Sequence, residues 1–265
     1  MRKVGVRIVL FTAEEPLYLP RYVEPVLAAH GDVVERVVLA GSKRPVREQA
    51  RRQYAMYGPR AGVRMAARYA RGRLLDALPT SLQPPLTGRY HSVAAAARAH
   101  GVEPLPVGDL SDPTFVETVR ELDPDVLLSV ICGQRVPEPV LDVPEWAVNV
   151  HGSLLPAYRG RATAVWPLYD GRDRSGVTAH LMTPELDAGP IVERRPFPLR
   201  DGDTVDDVME RIVERGADLA VDVLDRLRAG ERLETEPNPT GPDEYHTLPT
   251  AAERREFRRK GGRFL

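Results

Sequence analysis

The chain has 265 residues, enough for one large domain or for one domain with an appendage. With 37 Lys and Arg against 38 Asp and Glu, the charges nearly cancel, which removes any global pull toward nucleic acid or an anionic membrane; a hydrophobic content of 42% excludes disorder. The single cysteine, Cys132, excludes an intramolecular disulfide and a cysteine-built zinc site, and it suits a reducing, cytoplasmic setting.

The opening MRKVGVRIVLFT runs into Glu14 and Glu15 without a small-residue cleavage site, so it reads as a strand, Val4–Thr12, rather than as a signal peptide. Its apolar continuity suits burial on both faces. A helical pattern follows at Tyr22, Val23, Val26 and Leu27, then a second apolar strand, Val33–Ala40, before Gly41. Ser92–His100 is an alanine-rich helix closed by Gly101, and Val102–Val107 is a short strand. Thr114–Leu122 reads as a helix, Val126–Cys132 as a buried strand, and Ala147–Val150 as another. Gly176–Met182 alternates as an antiparallel or edge strand does. Thr204 caps a long amphipathic helix that runs to Arg228 and stops at Gly230. The closing PNPTGPDEYHTLPTAAERREFRRKGGRFL is Pro-rich and then charged, with one short helix after Pro249. No repeat is evident, and no apolar run approaches the roughly 20 residues that a membrane-spanning helix needs.

This strand–helix–strand rhythm predicts an α/β fold, a Rossmann-like doubly wound and mostly parallel sheet. The expected division is a catalytic unit over 1–200 and a C-terminal helix with a charged tail over 201–265. Residues 43–88 interrupt the rhythm. Their arginines (Arg44, Arg47, Arg51, Arg52, Arg60, Arg64, Arg68, Arg71, Arg73) interleave with Met56, Tyr57, Met65, Tyr69, Leu74 and Leu75, which predicts a basic amphipathic helical insertion. Such a segment can be a lid over a phosphate-bearing substrate, a patch for RNA or membrane, or an added helical pair with solvated arginines. The last is preferred, because arginine-rich helices are common on ordinary surfaces.

The most informative stretch is Asn149–Pro190, NVHGSLLPAYRGRATAVWPLYDGRDRSGVTAHLMTPELDAGP. It brings together an amide, Asn149, an imidazole, His151, and a carboxylate, Asp187. These groups can polarise a carbonyl, accept a proton and hold the acceptor in place, which suits acyl transfer to an amine. Asn149 and His151 are two apart, so a strand projects both to one side. In a doubly wound sheet ligands bind beyond the carboxyl ends of the strands, where this pair falls. Asp187 can reach the same point from a neighbouring strand end and order a proton-carrying water, while Gly152, Gly160 and Gly189 allow close backbone approach to a ligand.

Other features point elsewhere or nowhere. His180 alternates with apolar neighbours and reads as a packed strand histidine. His30, His91, His100 and His246 show no metal-ligand spacing, so no metal site is expected. Cys132 reads as core rather than nucleophile. No G-x-G-x-x-G follows the first strand and no G-x-x-x-x-G-K-[ST] occurs, which argues against a dinucleotide and against a nucleotide-gripping loop. Arg159 and Arg161 can hold an anionic acceptor or another anionic ligand, or can be plain loop arginines.

In order, N-V-H-G-S-L-L-P-A-Y-R-G, G-V-T-A-H and L-D-A-G-P-I closely resemble the signature of the folate-dependent formyltransferase family. That family includes methionyl-tRNA, glycinamide ribonucleotide and amino-sugar N-formyltransferases. The resemblance places the family's asparagine, histidine and aspartate on Asn149, His151 and Asp187. It implies 10-formyltetrahydrofolate as donor, with the pterin against backbone near Ser129, Gly133, Gln134 and Val136 and against the loop before Asp187. Ser153, Leu154, Pro156, Tyr158, Arg159 and Gly160 would form the rim, with Gly189 close by.

The acceptor is read from departures. The tRNA branch carries a C-terminal RNA-binding domain, and the stretch after Gly230 is too short for one. The glycinamide ribonucleotide branch has HPSLLP where this chain has HGSLLPAYRG. The expectation is therefore a small-molecule amine acceptor, a nucleotide-linked amino sugar foremost, with no nucleic acid and no membrane as partner and a homodimer left open. The alternatives are methionyl-tRNA formyltransferase-like activity and formyltetrahydrofolate hydrolysis.

Overall fold

The computed structural model describes residues 5–239, 241 and 245–265, the side chains at 46, 49, 50 and 53 excepted. In chain order the elements are β1 (Ile8–Thr12), α1 (Leu19–His30), β2 (Val34–Ala40), α2 (Val46–Asp76), α3 (Gln83–Thr87), α4 (Val93–Ala99), β3 (Pro104–Val107), α5 (Pro113–Leu122), β4 (Val126–Val130), α6 (Glu138–Leu141), β5 (Trp146–His151), β6 (Arg159–Gly160), α7 (Trp166–Tyr169), β7 (Arg174–Leu181), β8 (Ile191–Pro198), α8 (Val205–Arg228), β9 (Tyr245–His246) and α9 (Ala251–Arg259). Val4, the expected first residue of the opening strand, lies outside the described residues.

A seven-stranded sheet runs β3-β2-β1-β4-β5-β7-β8. The pairings from β3 to β5 are parallel, while β5–β7 and β7–β8 are antiparallel. This is the expected Rossmann-like, mostly parallel α/β architecture. β1 and β4 are buried at every position, as their unbroken apolar runs require. Alternate β1 residues feed two apolar layers: Ile8 and Leu10 face α1, α4 and α8, while Val9 and Phe11 face Phe115, Val119 and Val140. Because β1, β4 and β5 are parallel, their carboxyl ends share one edge, and the order of strand addition switches direction between β1 and β4, the place where such sheets bind ligands.

β7 lies inside the sheet, and the edge belongs to β8, a strand whose sequence IVERRPFP does not announce itself. Pro196 is tolerated there because an edge strand has one unpaired side. α8 opens with a capping box, Thr204 with Asp207, and buries a stripe from Val208 to Leu227 against α1 and β7. Phe257 of α9 and Phe264 beyond it join the same apolar layer.

The insertion is helical. α2 breaks at Gly58 (φ 75°), restarts at Pro59, and is followed by a short turn and α3. Met65 and Gly72 face the domain, and a Cβ on Gly72 would meet Pro16. The expected division into an apolar inner face and a charged outer face does not hold, because Val63, Tyr69 and Leu74 are exposed. Among the described residues no helix is long and apolar enough to cross a membrane.

Candidate active site

β5 delivers Asn149 and His151 to the carboxyl edge of the sheet, and its antiparallel partner β7 sets His180 directly opposite Asn149. Asn149 Nδ2 lies 3.0 Å from His180 Nε2, and His180 Nδ1 lies 2.9 Å from the Leu181 carbonyl. The carbonyl requires a donor, so in neutral His180 the Nδ1 hydrogen goes to Leu181 and Nε2 accepts from the Asn149 amide. His151 is tied in the same manner: its Nε2 donates to the Tyr158 carbonyl at 3.0 Å, leaving Nδ1 as the lone-pair nitrogen.

Asp187 closes the constellation. Its Oδ1 lies 3.6 Å from His151 Nδ1 and 3.6 Å from His180 Nε2. Its Oδ2 accepts the Gly160 N–H at 2.9 Å. The two histidines and the aspartate are all buried, at 7%, 2% and 7% exposure, so their mutual attraction is weakly screened. Burial alone would push the Asp187 carboxyl up; His151, His180 and the Gly160 N–H outweigh it and hold the group at about 2. The carboxylate is thus ionised throughout the neutral range, and a proton arriving on either imidazole meets it.

The loops that present Asp187 are heavily constrained. Asp187 itself sits at φ 53°, and a Cβ on Gly189 would run into the Leu181 carbonyl. Asn238 donates through Nδ2 to the carbonyls of Asp187 and Gly189, both at 3.0 Å. The segment around it is laid against the sheet by a reciprocal backbone pair between Glu236 and Ile191. Further on, β9 pairs with β6, and a Cβ on Gly160 (φ 94°) would strike the His246 carbonyl. The tail therefore touches the loop carrying Asp187, an involvement that its proline-rich composition did not signal.

Of the expected rim, Tyr158, through its carbonyl on His151, and Gly160, through its N–H on Asp187, touch the constellation, Arg159 holds the loop that carries Asp187, and the others lie behind. Arg159 is 5% exposed, and its Nη2 donates to Glu185 at 2.8 Å and to the Leu186 carbonyl at 2.7 Å. Its guanidinium is committed to the Asp187 loop, which differs from both readings of it, anion holder and plain loop arginine. Ser153 Oγ donates to the Ala157 carbonyl at 2.7 Å, and Thr178 Oγ1 joins the Ser153 carbonyl to the Leu155 N–H. Leu154 packs over Gly176, and Pro156 follows a cis peptide bond. The Tyr158 hydroxyl donates to Asp170 at 2.8 Å. Arg161 is exposed.

At the end of β4 the expected pterin-facing residues have structural tasks. Ser129 is buried within the strand and Val136 lies in the apolar core. Gly133 packs against the Ala40 carbonyl, and Gln134 bridges Gly41, Gly108 and Leu110, knitting the ends of β2, β3 and β4 together. The strand ends at Val130, short of the expected Cys132, whose thiol is pushed up by burial. Ile131, one residue past the strand, and Leu186, one before Asp187, expose apolar side chains at the same edge.

Sequence reasoning assigned His180 to packing. It is packed, and it also contacts both Asn149 and Asp187. The available signal was its two-residue spacing from Thr178, which puts both on one face; the strand register that brings that face to Asn149 is not readable locally. Among the described residues no group of three or more His, Cys, Asp or Glu is placed to hold a metal. A separate cleft of about 500 Å³, lined by Arg68, Arg71, Arg89 and His91 among others, shares no residue with the constellation.

The model of the formyl transferase family matches residues 89–224. The methionyl-tRNA formyltransferase of Pelobacter propionicus is 37% identical over 173 residues, covering 63% of this chain and 54% of that protein. That of Thermosynechococcus vestitus is 39% identical over 150 residues, or 55% and 44% of the two chains. The chain thus spans about half the length of the curated relatives it matches. Among solved structures, glycinamide ribonucleotide transformylase 1 from Symbiobacterium toebii superimposes with a TM-score of 0.59 at 19% identity, over 90% of this chain and 96% of that one. An N-formyltransferase from Helicobacter canadensis, solved with folinic acid and dTDP-3-aminofucose, gives 0.58 at 16% identity, over 96% and 80%. At these identities the two structures speak to the fold.

Proposed function

Because this chain belongs to the formyl transferase family, we propose that it is an N-formyltransferase that moves a formyl group from 10-formyltetrahydrofolate to a primary amine. One observation carries the reading: a single Asp187 oxygen lies 3.6 Å from two buried imidazoles, one of them hydrogen-bonded to Asn149, at the carboxyl edge of a doubly wound sheet. Metal-free acyl transfer needs an oxyanion donor, a proton acceptor and a fixed countercharge, and these residues supply all three.

The incoming amine forms its N–C bond to the formyl carbon, and the carbonyl oxygen takes the negative charge. Asn149 gives one amide hydrogen to His180 and offers the other to that oxygen. His151 Nδ1 accepts the proton lost by the amine, and the imidazolium so formed is stabilised by Asp187 a few ångströms away. The bond from carbon to the folate nitrogen then breaks, and the proton passes to that nitrogen, so that amine and folate exchange one hydrogen for one formyl group. Exposed Ile131, within the Ser129–Val136 stretch, and Leu186, in the loop before Asp187, offer apolar surface for a flat pterin.

For the acceptor, methionyl-tRNA comes first. The relatives that share more than a third of their residues with this chain over the matched region carry that name, which supports the reading held as an alternative above rather than the amino sugar placed foremost. A nucleotide-linked amino sugar is the second reading, favoured by the sugar N-formyltransferases among the fold neighbours. Purified protein with the folate donor, offered charged initiator tRNA and dTDP-linked amino sugars in parallel, decides between them by mass spectrometry of the products. Formylated methionine on the tRNA alone supports the first reading. A formylated sugar alone replaces it with the second.

A further inference from the structure

The near-neutral charge of the whole chain conceals a separation. Residues 43–88 hold ten Lys or Arg against two Asp or Glu, a net charge of +8 on a chain whose total is −1. The same segment concentrates exposed apolar side chains. Of nine large hydrophobic residues exposed among the described residues, Tyr54, Val63, Tyr69, Leu74, Leu82 and Leu86 lie in it. Val63, Leu74 and Leu86 are 65%, 75% and 67% exposed, far beyond what scattered surface leucines need explaining.

Their placement is ordered. From Pro59 onward α2 turns about 100° per residue, and its buried side carries Gly62, Met65, Gly72 and Leu75. This side is fixed to the domain: Arg68 donates to Asp206 at 2.6 Å, and a Cβ on Gly72 would meet Pro16. The opposite, outward side holds Val63, Ala66, Ala67, Ala70, Leu74 and Ala77, all exposed and without one charge. Arg60, Arg64 and Arg71 flank this strip on one side, and Tyr69 and Arg73 on the other. A strip of aliphatic residues turned to water, with three arginines along one margin and a tyrosine and an arginine along the other, is the pattern of a helix that lies in a membrane interface.

We propose that α2 from Pro59 to Asp76 is a docking surface for an anionic lipid bilayer, with the strip entering the headgroup region and the flanking arginines meeting lipid phosphates. Charge and the apolar strip together decide among occupants. A second copy of this chain would set one +8 segment against another, and an RNA backbone has no use for an uncharged aliphatic strip. The inference is independent of the formyl-transfer reading, since the strip shares no residue with the constellation around Asp187.

The test is co-sedimentation of the full chain with vesicles of phosphatidylcholine, alone or mixed with equal phosphatidylglycerol, at low and high salt. Binding is expected to the mixed vesicles only and to weaken with salt. Each arginine near the surface contributes a factor of about five in partitioning. The double variant Val63→Glu, Leu74→Glu should lower partitioning at least tenfold (roughly, from the loss of two apolar insertions). Arg60→Gln with Arg64→Gln should lower it by about 25-fold. Circular dichroism and formyl transfer to a soluble amine should stay at wild-type levels in both, because all four side chains are exposed. Three results would overturn the proposal: no binding to mixed vesicles at low salt, self-association abolished by the Val63/Leu74 variant, or RNA binding that the arginine variant removes and the Val63/Leu74 variant leaves intact.

Discussion

Replacing Asp187 by Asn removes the negative charge while keeping the shape and an oxygen for the Gly160 N–H. The folded protein holds this carboxyl at about 2 against an ordinary 3.8, so its ionised form is favoured by roughly 2 kcal/mol in the native state. Asn approximates the carboxyl permanently neutral, and at about pH 7 the variant should unfold with a free energy lower by that order. The sign follows from the depressed value. The contribution is complete above the unfolded value near 4 and drains away as pH falls toward 2. The gap between wild type and Asp187→Asn should therefore narrow between about pH 4 and pH 2. Urea unfolding followed by circular dichroism at several pH values measures both features. Formyl transfer should fall by about 10²–10⁴-fold, because protonated imidazole loses its countercharge. A variant as stable as wild type at neutral pH, or a gap that widens on acidification, would refute the electrostatic account of this pocket.

Further consequences concern the surroundings. Asn238→Ala removes two hydrogen bonds to the Asp187–Gly189 carbonyls; kcat should fall by about tenfold and the melting temperature by a few degrees, and an unaltered kcat would show that the tail does not position the loop. Gly160→Ala should cost about 2 kcal/mol or more, since φ is 94° and the new methyl meets the His246 carbonyl; thermal denaturation reads this directly, and a neutral effect would mean that β6 and β9 separate freely. Tyr22→Phe should be neutral or stabilising by up to about 1 kcal/mol, because the buried Tyr22 hydroxyl has no hydrogen-bond partner among the described residues; a clear loss in urea unfolding would reveal a bond to that hydroxyl.

How far the sequence was legible depends on how local each determinant is. β1 and β4 announce themselves because burial on both faces leaves only apolar residues in the run. β8 does not, because Glu193, Arg194 and Arg195 obscure its alternation, and it exists through pairing with β7. Asn149 and His151 are two residues apart on one strand, so their partnership could be read directly. The place of His180 depends on an antiparallel register across 31 residues of chain, and that of Arg159 on Glu185, 26 residues away. Asn238 was invisible for the same reason, at 51 residues from the carbonyl it holds. The insertion shows a further blind spot: arginine count and helical spacing predict an amphipathic helix, and only the packed face reveals that the apolar residues point both inward and outward.

The central claim is that the Asn149–His151–Asp187 constellation, with His180, transfers a formyl group from a folate donor to an amine. Its most direct test is single-turnover formyl transfer, with 10-formyltetrahydrofolate and each candidate amine, by wild type, His151→Ala and Asn149→Asp. The account predicts formylated amine and tetrahydrofolate in equal amounts from wild type, and a loss of at least about 10²-fold in each variant with the fold intact. Formylation at near wild-type rate by either variant, or no formylation of any amine by wild-type protein that binds the donor, would contradict it.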